Sequence, residues 1–495
     1  LSVRDRARVE ALALGVLALG AALYAGTTWE ALSEPEIVNY SEGIVLHAAE
    51  RTLLGGPLYG DLREAPFHYS AYPPLFPVVA GWLLDVTGVR LAVLRALAAV
   101  AYAVALGIAG RIASRESGHA WAGWCATGLG LGVASAHPFA AIARVDALEI
   151  ALGLVALERL LAIERGETRR PYLAAVAAVA ALCGCALTKW TGLAPFAGLA
   201  LHRAWVTRSP RDPVLVVTGA GVLVTVAAYA LGHVLTSGAL TRQLFVDQAQ
   251  SGVIVRGFVT LNFVSYQLGI LVVAGWAAAR GVARSTVAAL VASVLWMSIS
   301  QLKDGADHNY SLGPIALAIA VAGAGLPPLL EDFRRTRATR PALAEPALGL
   351  FALISMGLAS LQTSHLEERG PRWRSDHVAL HAALAALPPG AIVLAEEPFY
   401  ARVHGLAPWL SDPCHVQILA RHGALSPEPH LAALRAGTIP WVLRGDVLGG
   451  VPGLDEVLAA HFEEVLRTEG PLTTGPLTLH RHRDVTRREP GGRAR

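Results

Sequence analysis

Two carboxylates and a set of cations carry the chemistry legible in this chain. Glu42 lies in "NYSEGIVLHAAERTLLGGPLYGD", after Tyr40 and Ser41, and Asp146 lies in "ARVDALEIALGL", two residues after Arg144. Acids from two separate segments on one face are what proton transfer or divalent-metal binding requires. Lys189 interrupts the apolar "ALTKWTGLAPF", and His308, Asn309 and Tyr310 open a further apolar run. Cations at Arg95, Arg144 and Lys189, and a helix start bearing His308, are the groups that hold a phosphate. Each has a plainer reading. Glu42 can be a solvated loop acid. Asp146 can gain about 0.3–1 kcal/mol from a helix dipole. Lys189 can snorkel, and Asp307 or Asn309 can cap a helix. Tyr40, Asp61 and Tyr72 are additional candidates in the first polar segment. Were a metal present, Glu42, Asp146 and His308 are the residue types to ligate it; the sequence leaves metal dependence open.

The elements that must position these residues are apolar helices. The chain has 495 residues, of which 54% are hydrophobic and 16% charged. A soluble domain carries about 25% charged residues, so much of this surface faces lipid. Apolar runs long enough for about 30 Å of hydrocarbon occur at 9–29, 91–112, 119–137, 147–163, 171–187, 191–206, 213–233, 258–279, 285–302, 310–330 and 342–361. The first run lacks a small-residue cleavage pattern and reads as an anchor. The run 72–88 opens with Pro-Pro and carries Asp85.

Loop charge fixes the expected topology. With "RDRAR" inside and 72–88 lying at the interface, "RIASRESG", "ERGETRR", "HRAWVTRSPRD", "ARGVAR" and "EDFRRTRATR" all fall inside, as the positive-inside rule asks. Residues 30–90 then form one long outer loop, and every candidate site residue lies at the outer face. The clustered Arg residues read as topology and not as nucleic-acid binding. Four Cys, two of them the membrane C-x-C of Cys183 and Cys185, imply packing, not a disulfide framework or a zinc site.

The transmembrane part is expected over 1–363. From about residue 364 charge, His and Pro rise. "AIVLAEEP" and "PWVLRGD" read as buried strands, and "HLAALRAG" and "LDEVLAAHFEEVL" as amphipathic helices. A small outer α/β domain over 364–485 and a basic tail over 486–495 follow, with "RHRDVTRREPGGRAR" read as frayed.

In the order and spacing of "NYSEGIVLHAAERTLLGGPLYGD", "YPPLFPVVAGWL", "AVLRALAAV", "ARVDALEIALGL", "LTKWTGLAPF" and "HNYSLGPIALA", residues 10–330 resemble the GT-C type membrane glycosyltransferases. That group includes protein O-mannosyltransferases and lipid A aminoarabinose transferases, and the likeness is nearest a bacterial subgroup with a small C-terminal outer domain. The resemblance implies a helical bundle in the bacterial plasma membrane. It implies a sugar donor on polyprenyl phosphate, an acceptor that is a glycan, lipid or protein, and transfer that inverts the anomeric centre. It places the family's first-loop acid on Glu42 and its second-loop acid on Asp146. Many relatives carry an Asp-Glu pair where this chain has Ser41-Glu42, which leaves Glu42 alone.

In one arrangement Glu42 is the base and Asp146 orients Arg144 or the acceptor. In the other Asp146 is the base and Glu42 holds a metal. The first is favoured, because an acid beside Arg is a weaker base. The cations Arg95, Arg144, Lys189 and His308 would hold the leaving lipid phosphate. Rival readings are a transporter or flippase for a lipid-linked solute, which would place polar groups nearer the midplane in two related halves, and a non-catalytic glycan-binding membrane protein.

Overall fold

The structure is a computed structural model that describes residues 3–37, 39–60, 67–88, 90–135, 137, 139–250, 267–303, 308–339, 371–468 and 476–484. Helices run α1 (Val3–Ser33), α2 (Tyr40–Leu53), α3 (Leu75–Thr87), α4 (Leu91–Ser117), α5 (Ala120–Ser135), α6 (Asp146–Glu164), α7 (Pro171–Thr188), α8 (Ala194–Thr207) and α9 (Pro213–Leu235). The helices Leu268–Ala279, Arg284–Ser300 and Leu312–Thr339 follow. Ten of the predicted apolar runs coincide with these helices to within a few residues over their described parts, and 342–361 lies outside the described residues. Among the described residues, five segments are long and apolar enough to cross a membrane: Arg6–Ser33, Leu91–Ser117, Pro171–Thr188, Pro213–Leu235 and Asn309–Arg335. The chain is an integral membrane protein.

Small residues let the helices approach closely, as in lipid they must. A Cβ on Gly20 of α1 would sit 2.0 Å from the carbonyl oxygen of Gly128 on α5. A Cβ on Gly110 of α4 would sit 2.6 Å from that of Gly123. Any larger residue at Gly20 would push α1 off α5.

The two ends of the bundle differ chemically. One end gathers ion pairs between neighbouring helix termini: Arg165–Glu116 at 2.7 Å, Arg203–Glu164 at 2.7 Å, Arg203–Asp212 at 2.6 Å, and Arg280–Asp332. These residues come from the basic loops that the sequence assigns to one side. The other end carries α2, α3 and a C-terminal α/β unit. At 13 residues, α3 is about 20 Å long, short of a crossing.

The C-terminal unit is built on a five-stranded sheet of order β2-β1-β3-β5-β4, with β1 Ile392–Ala395, β2 Ala407–Pro408, β3 Trp441–Arg444, β4 Phe462–Thr468 and β5 Leu477–His482. The β2-β1-β3 part is parallel; β5 runs antiparallel between β3 and β4. The segment 454–466, expected to be one helix, instead ends its helix at His461 and continues as β4. There pairing with β5 and burial of Phe462 outweigh a local preference that is only a weak prior. The expected frayed stretch likewise begins later, since Arg481 and His482 belong to β5.

The first polar loop joins the two halves. Val45, Leu46 and Ala49 of α2 share a buried cluster with Phe76 and Ala80 of α3 and with Leu380, Phe399, Tyr400 and Leu479. Phe67 and Tyr69 enter the core of the α/β unit itself, beside Leu394, Leu410 and Val416.

Candidate active site

Asp146 is the first residue of α6 and is buried. Its Oδ1 accepts from Lys189 Nζ at 2.5 Å and from Asn309 Nδ2 at 2.7 Å, and its Oδ2 from Arg144 Nε at 3.2 Å. Three segments meet on one carboxylate. Lys189 gets there because the chain breaks at the end of α7: Lys189 is extended, with φ −162° and ψ 120°, before a 3₁₀ turn over Trp190–Leu193. Its ammonium also lies 4.0 Å from the centre of the Tyr310 ring, a geometry that attracts a cation. Arg144 lies 5.0 Å from the Phe139 ring centre and donates to the Tyr72 hydroxyl at 3.3 Å.

Two cavities open from this cluster. The larger, about 1160 Å³, is lined by Arg144, Lys189 and Lys303 among its cations, by Asp412 as its carboxylate, and by Tyr72, Trp190, Trp296 and Tyr310. Three cations against one acid give its lining a positive character. The second, about 610 Å³, starts at Asp146, Lys189, Asn309 and Tyr310 and runs between α6, the Arg284–Ser300 helix and the Leu312–Thr339 helix. Its far walls are Ile150, Leu154, Leu157, Met297, Pro314 and Leu317. On α6 the spacing 150, 154, 157 is one helix face. A cationic cavity and an apolar slot thus share one polar junction.

Lys303 donates to Gln248 Oε1 at 2.9 Å, and burial holds its pKa down to about 8. Asp412 comes from the opposite wall. It caps the helix Pro413–Arg421 by accepting the His415 backbone N–H at 2.9 Å on Oδ1. Burial pushes its carboxyl up to about 6, against the lowering effects of that N–H and of Lys303.

The structure brings Asp146, Arg144, Lys189, Asn309, Tyr310 and Tyr72 together. It does not bring Glu42 or Arg95 to either cavity, and here the expectation is corrected. Both side chains are fully buried and bind each other: Arg95 Nε and Nη2 each donate to Glu42 at 2.8 Å. Arg95 also donates to the carbonyls of Ala31, Glu34 and Glu36. Glu42 Oε1 accepts the Ala143 N–H at 2.8 Å, so the pair fixes the backbone next to Arg144. Opposite charges at one face of a bundle satisfy each other when they meet before a substrate does. Asp61 and the side chains of Tyr40 and His308 lie outside the described residues.

A metal fits this arrangement poorly. The Asp146 oxygens already face an ammonium, a guanidinium and an amide, and Glu42 faces a guanidinium. Among the described residues no group of three or more His, Cys, Asp or Glu is placed to hold an ion. Sequence reasoning passed over Trp190, Trp296, Lys303 and Asp412. Lys303 stands in the polar run before His308. Asp412 precedes Pro413, which marks a helix start but says nothing of a cavity.

This helical bundle with an α/β unit over one end has the fold seen in solved structures of ArnT and of an archaeal oligosaccharyltransferase. ArnT from Cupriavidus metallidurans bound to undecaprenyl phosphate is similar over 94% of this chain and 98% of its own, with TM-score 0.62 and 15% identity. The oligosaccharyltransferase AglB from Archaeoglobus fulgidus, in complex with an inhibitory peptide and a dolichol-phosphate, is similar over 94% of this chain and 74% of its own, with TM-score 0.55 and 12% identity. An Archaeoglobus fulgidus oligosaccharyltransferase complex with Zn and sulfate has TM-score 0.56 and 13% identity over 94% of this chain and 72% of its own. Neither a family model nor a curated protein matches the sequence.

Proposed function

We propose that this protein is a membrane glycosyltransferase that moves a sugar from a polyprenyl-phosphate donor to an acceptor hydroxyl at the outer face. The observation that carries the reading is the junction of a cationic cavity with an apolar slot. A polyprenyl-phosphate sugar has the matching parts: an isoprenoid tail for the slot, an anionic phosphate for Arg144, Lys189 and Lys303, and a sugar for the larger cavity. The aromatic walls of that cavity suit a sugar face.

The chemistry follows from charge. The donor phosphate is a diester with one negative charge, and the departing lipid phosphate carries a second. Fixed cations therefore bind the developing leaving group better than the bound donor, which is the condition for lowering a barrier. The acceptor oxygen bonds the anomeric carbon as the bond to phosphate breaks, in one displacement that inverts the centre. Asp146 holds Lys189 and Arg144 at the phosphate position, and Glu42 with Arg95 holds the segment that carries Arg144.

The test is to give the purified chain a panel of undecaprenyl-phosphate hexoses and pentoses, with a membrane glycolipid extract as acceptor. Release of undecaprenyl phosphate from at least one donor is expected. No release from any, with no binding of undecaprenyl phosphate, defeats the reading. It also requires eleven crossings, with the N-terminus inside and the α/β unit outside. A phosphatase reporter fused after residue 484 should be active only in the outer compartment, and cytoplasmic activity would put the cavity on the wrong side.

A further inference from the structure

Glu149 lines the slot, where it accepts from Thr191 at 2.9 Å; Asp412 is the carboxylate of the larger cavity, and the mechanism above leaves it unused. It reaches the cavity from the C-terminal unit, on the wall that also carries Cys414, His415 and Ile418, while Arg144, Lys189 and Tyr310 come from the bundle. Three of those wall positions, 414, 415 and 418, share one face of the Pro413–Arg421 helix. The cavity is thus closed by two separate parts of the chain, cationic on the bundle side and carboxylate-bearing on the other.

The carboxylates differ in what they already hold. Asp146 accepts three side-chain donors, two of them cations, and Glu42 accepts two from Arg95 and one from Ala143 N. Oxygens taken up by such donors are badly placed to receive a proton from an acceptor hydroxyl. Asp412 accepts one backbone N–H, on Oδ1, and among the described residues Oδ2 has no hydrogen-bond donor. Its position is nonetheless fixed. Ser411 Oγ accepts the Tyr69 N–H at 2.7 Å, and the Tyr69 hydroxyl bonds His415 Nε2 at 2.6 Å with the rings stacked at 4.1 Å. A reactive group held by such neighbours does not spend energy on being oriented.

We propose that Asp412 takes the proton from the acceptor hydroxyl. The inference rests on the glycosyltransferase reading. The acceptor O–H proton passes to Oδ2, the acceptor oxygen bonds the anomeric carbon, and the electron pair of the breaking bond leaves with the lipid phosphate oxygen toward Lys189 and Arg144. The proton then leaves Asp412 for solvent in the cavity. The acceptor is thereby placed on the C-terminal side, and that unit is a working part of the site.

The groups that face Asp412 are Lys303 from the end of the Arg284–Ser300 helix, Glu397 at the start of the Pro398–Val403 helix, Tyr69 from the first outer loop, and His415 with Cys414 on its own helix. With its carboxyl pushed up to about 6, Asp412 is a base above that pH and protonated below it. The acid limb of kcat/KM should therefore rise through about pH 6. Lys303, held down to about 8, loses its charge above that pH, and the activity should fall there.

The test uses the full chain in detergent with the same undecaprenyl-phosphate sugars and the glycolipid extract. Asp412→Asn should bind undecaprenyl phosphate as the parent does, lose about 10²–10⁴ in turnover, and lose the limb near pH 6. Asp412→Glu should recover part of the rate. Full turnover in Asp412→Asn overturns the proposal. So does a parallel loss of undecaprenyl phosphate binding, which would make Asp412 a wall of the donor site. Failure of the unaltered protein itself to bind or release undecaprenyl phosphate defeats the enzyme reading instead, and is read without any variant.

Discussion

Lys189→Met should lower turnover by about 10²–10³, the usual cost of removing one preorganised group from a developing oxyanion, and weaken undecaprenyl phosphate binding at least tenfold, about 1.4 kcal/mol. The ammonium is buried, 2.5 Å from Asp146 and at the junction of both cavities, where solvent screens it little. Met keeps the length and the contact with Tyr310 while removing the charge. The substitution also leaves the Asp146 carboxylate with Arg144 and Asn309 alone, and breaking a buried pair costs about 3–5 kcal/mol. A fall in the thermal midpoint is thus expected as well, and could be mistaken for the cause of lost activity. The double variant Lys189→Met with Asp146→Asn separates the two effects. It removes both charges, so the midpoint should return toward that of the parent while turnover and lipid phosphate binding stay low. Recovery of turnover in the double variant would mean that Lys189 serves only to neutralise Asp146.

How much of this was legible in the sequence depends on range. The apolar runs are local, and the helices lie where the runs do. Asp146, Arg144, Lys189 and Asn309 were singled out because each is a polar group next to hydrocarbon, and burial of a charge is expensive enough to signal a purpose. What composition could not reveal is which purpose. Glu42 and Arg95 have the same signature, yet lie 53 residues apart and meet each other. Nothing in either segment encodes that meeting, because it is set by how α2 lies across α4. Asp412 failed to register for the opposite reason. It sits in a soluble-looking stretch where an acid before Pro-Cys-His reads as a helix cap, which it also is. Its second role comes only from the docking of Tyr69 and Ser411, a contact spanning 342 residues. The strand Phe462–Thr468 was missed because its register depends on β5, not on its own periodicity.

Arg95→Met should be the most damaging single change to stability. It strands a fully buried Glu42 carboxylate and removes the donors to three backbone carbonyls, those of Ala31, Glu34 and Glu36. An uncompensated buried charge costs about 3–5 kcal/mol, and the abandoned carbonyls add about 1–3 kcal/mol each where no water reaches them. Yield from membranes and the detergent thermal midpoint should both fall sharply. Glu42→Gln is the informative partner. Glutamine keeps the shape and an acceptor for Ala143 N–H, but leaves the Arg95 guanidinium without its counter-charge. The double variant Glu42→Gln with Arg95→Gln removes both charges and should recover much of the midpoint. Since Glu42 reaches the site through Ala143 and Arg144, the double variant should then show a raised donor KM with kcat falling less than tenfold, because a loosened Arg144 weakens phosphate holding without touching proton transfer. The contrary outcome is well defined. If Glu42→Gln folds normally, binds undecaprenyl phosphate as the parent does, and loses about 10²–10⁴ in kcat, then Glu42 is the base, as the first-loop position suggests. Arg95 would then have to release it during turnover, and Asp412 would be left as a helix cap.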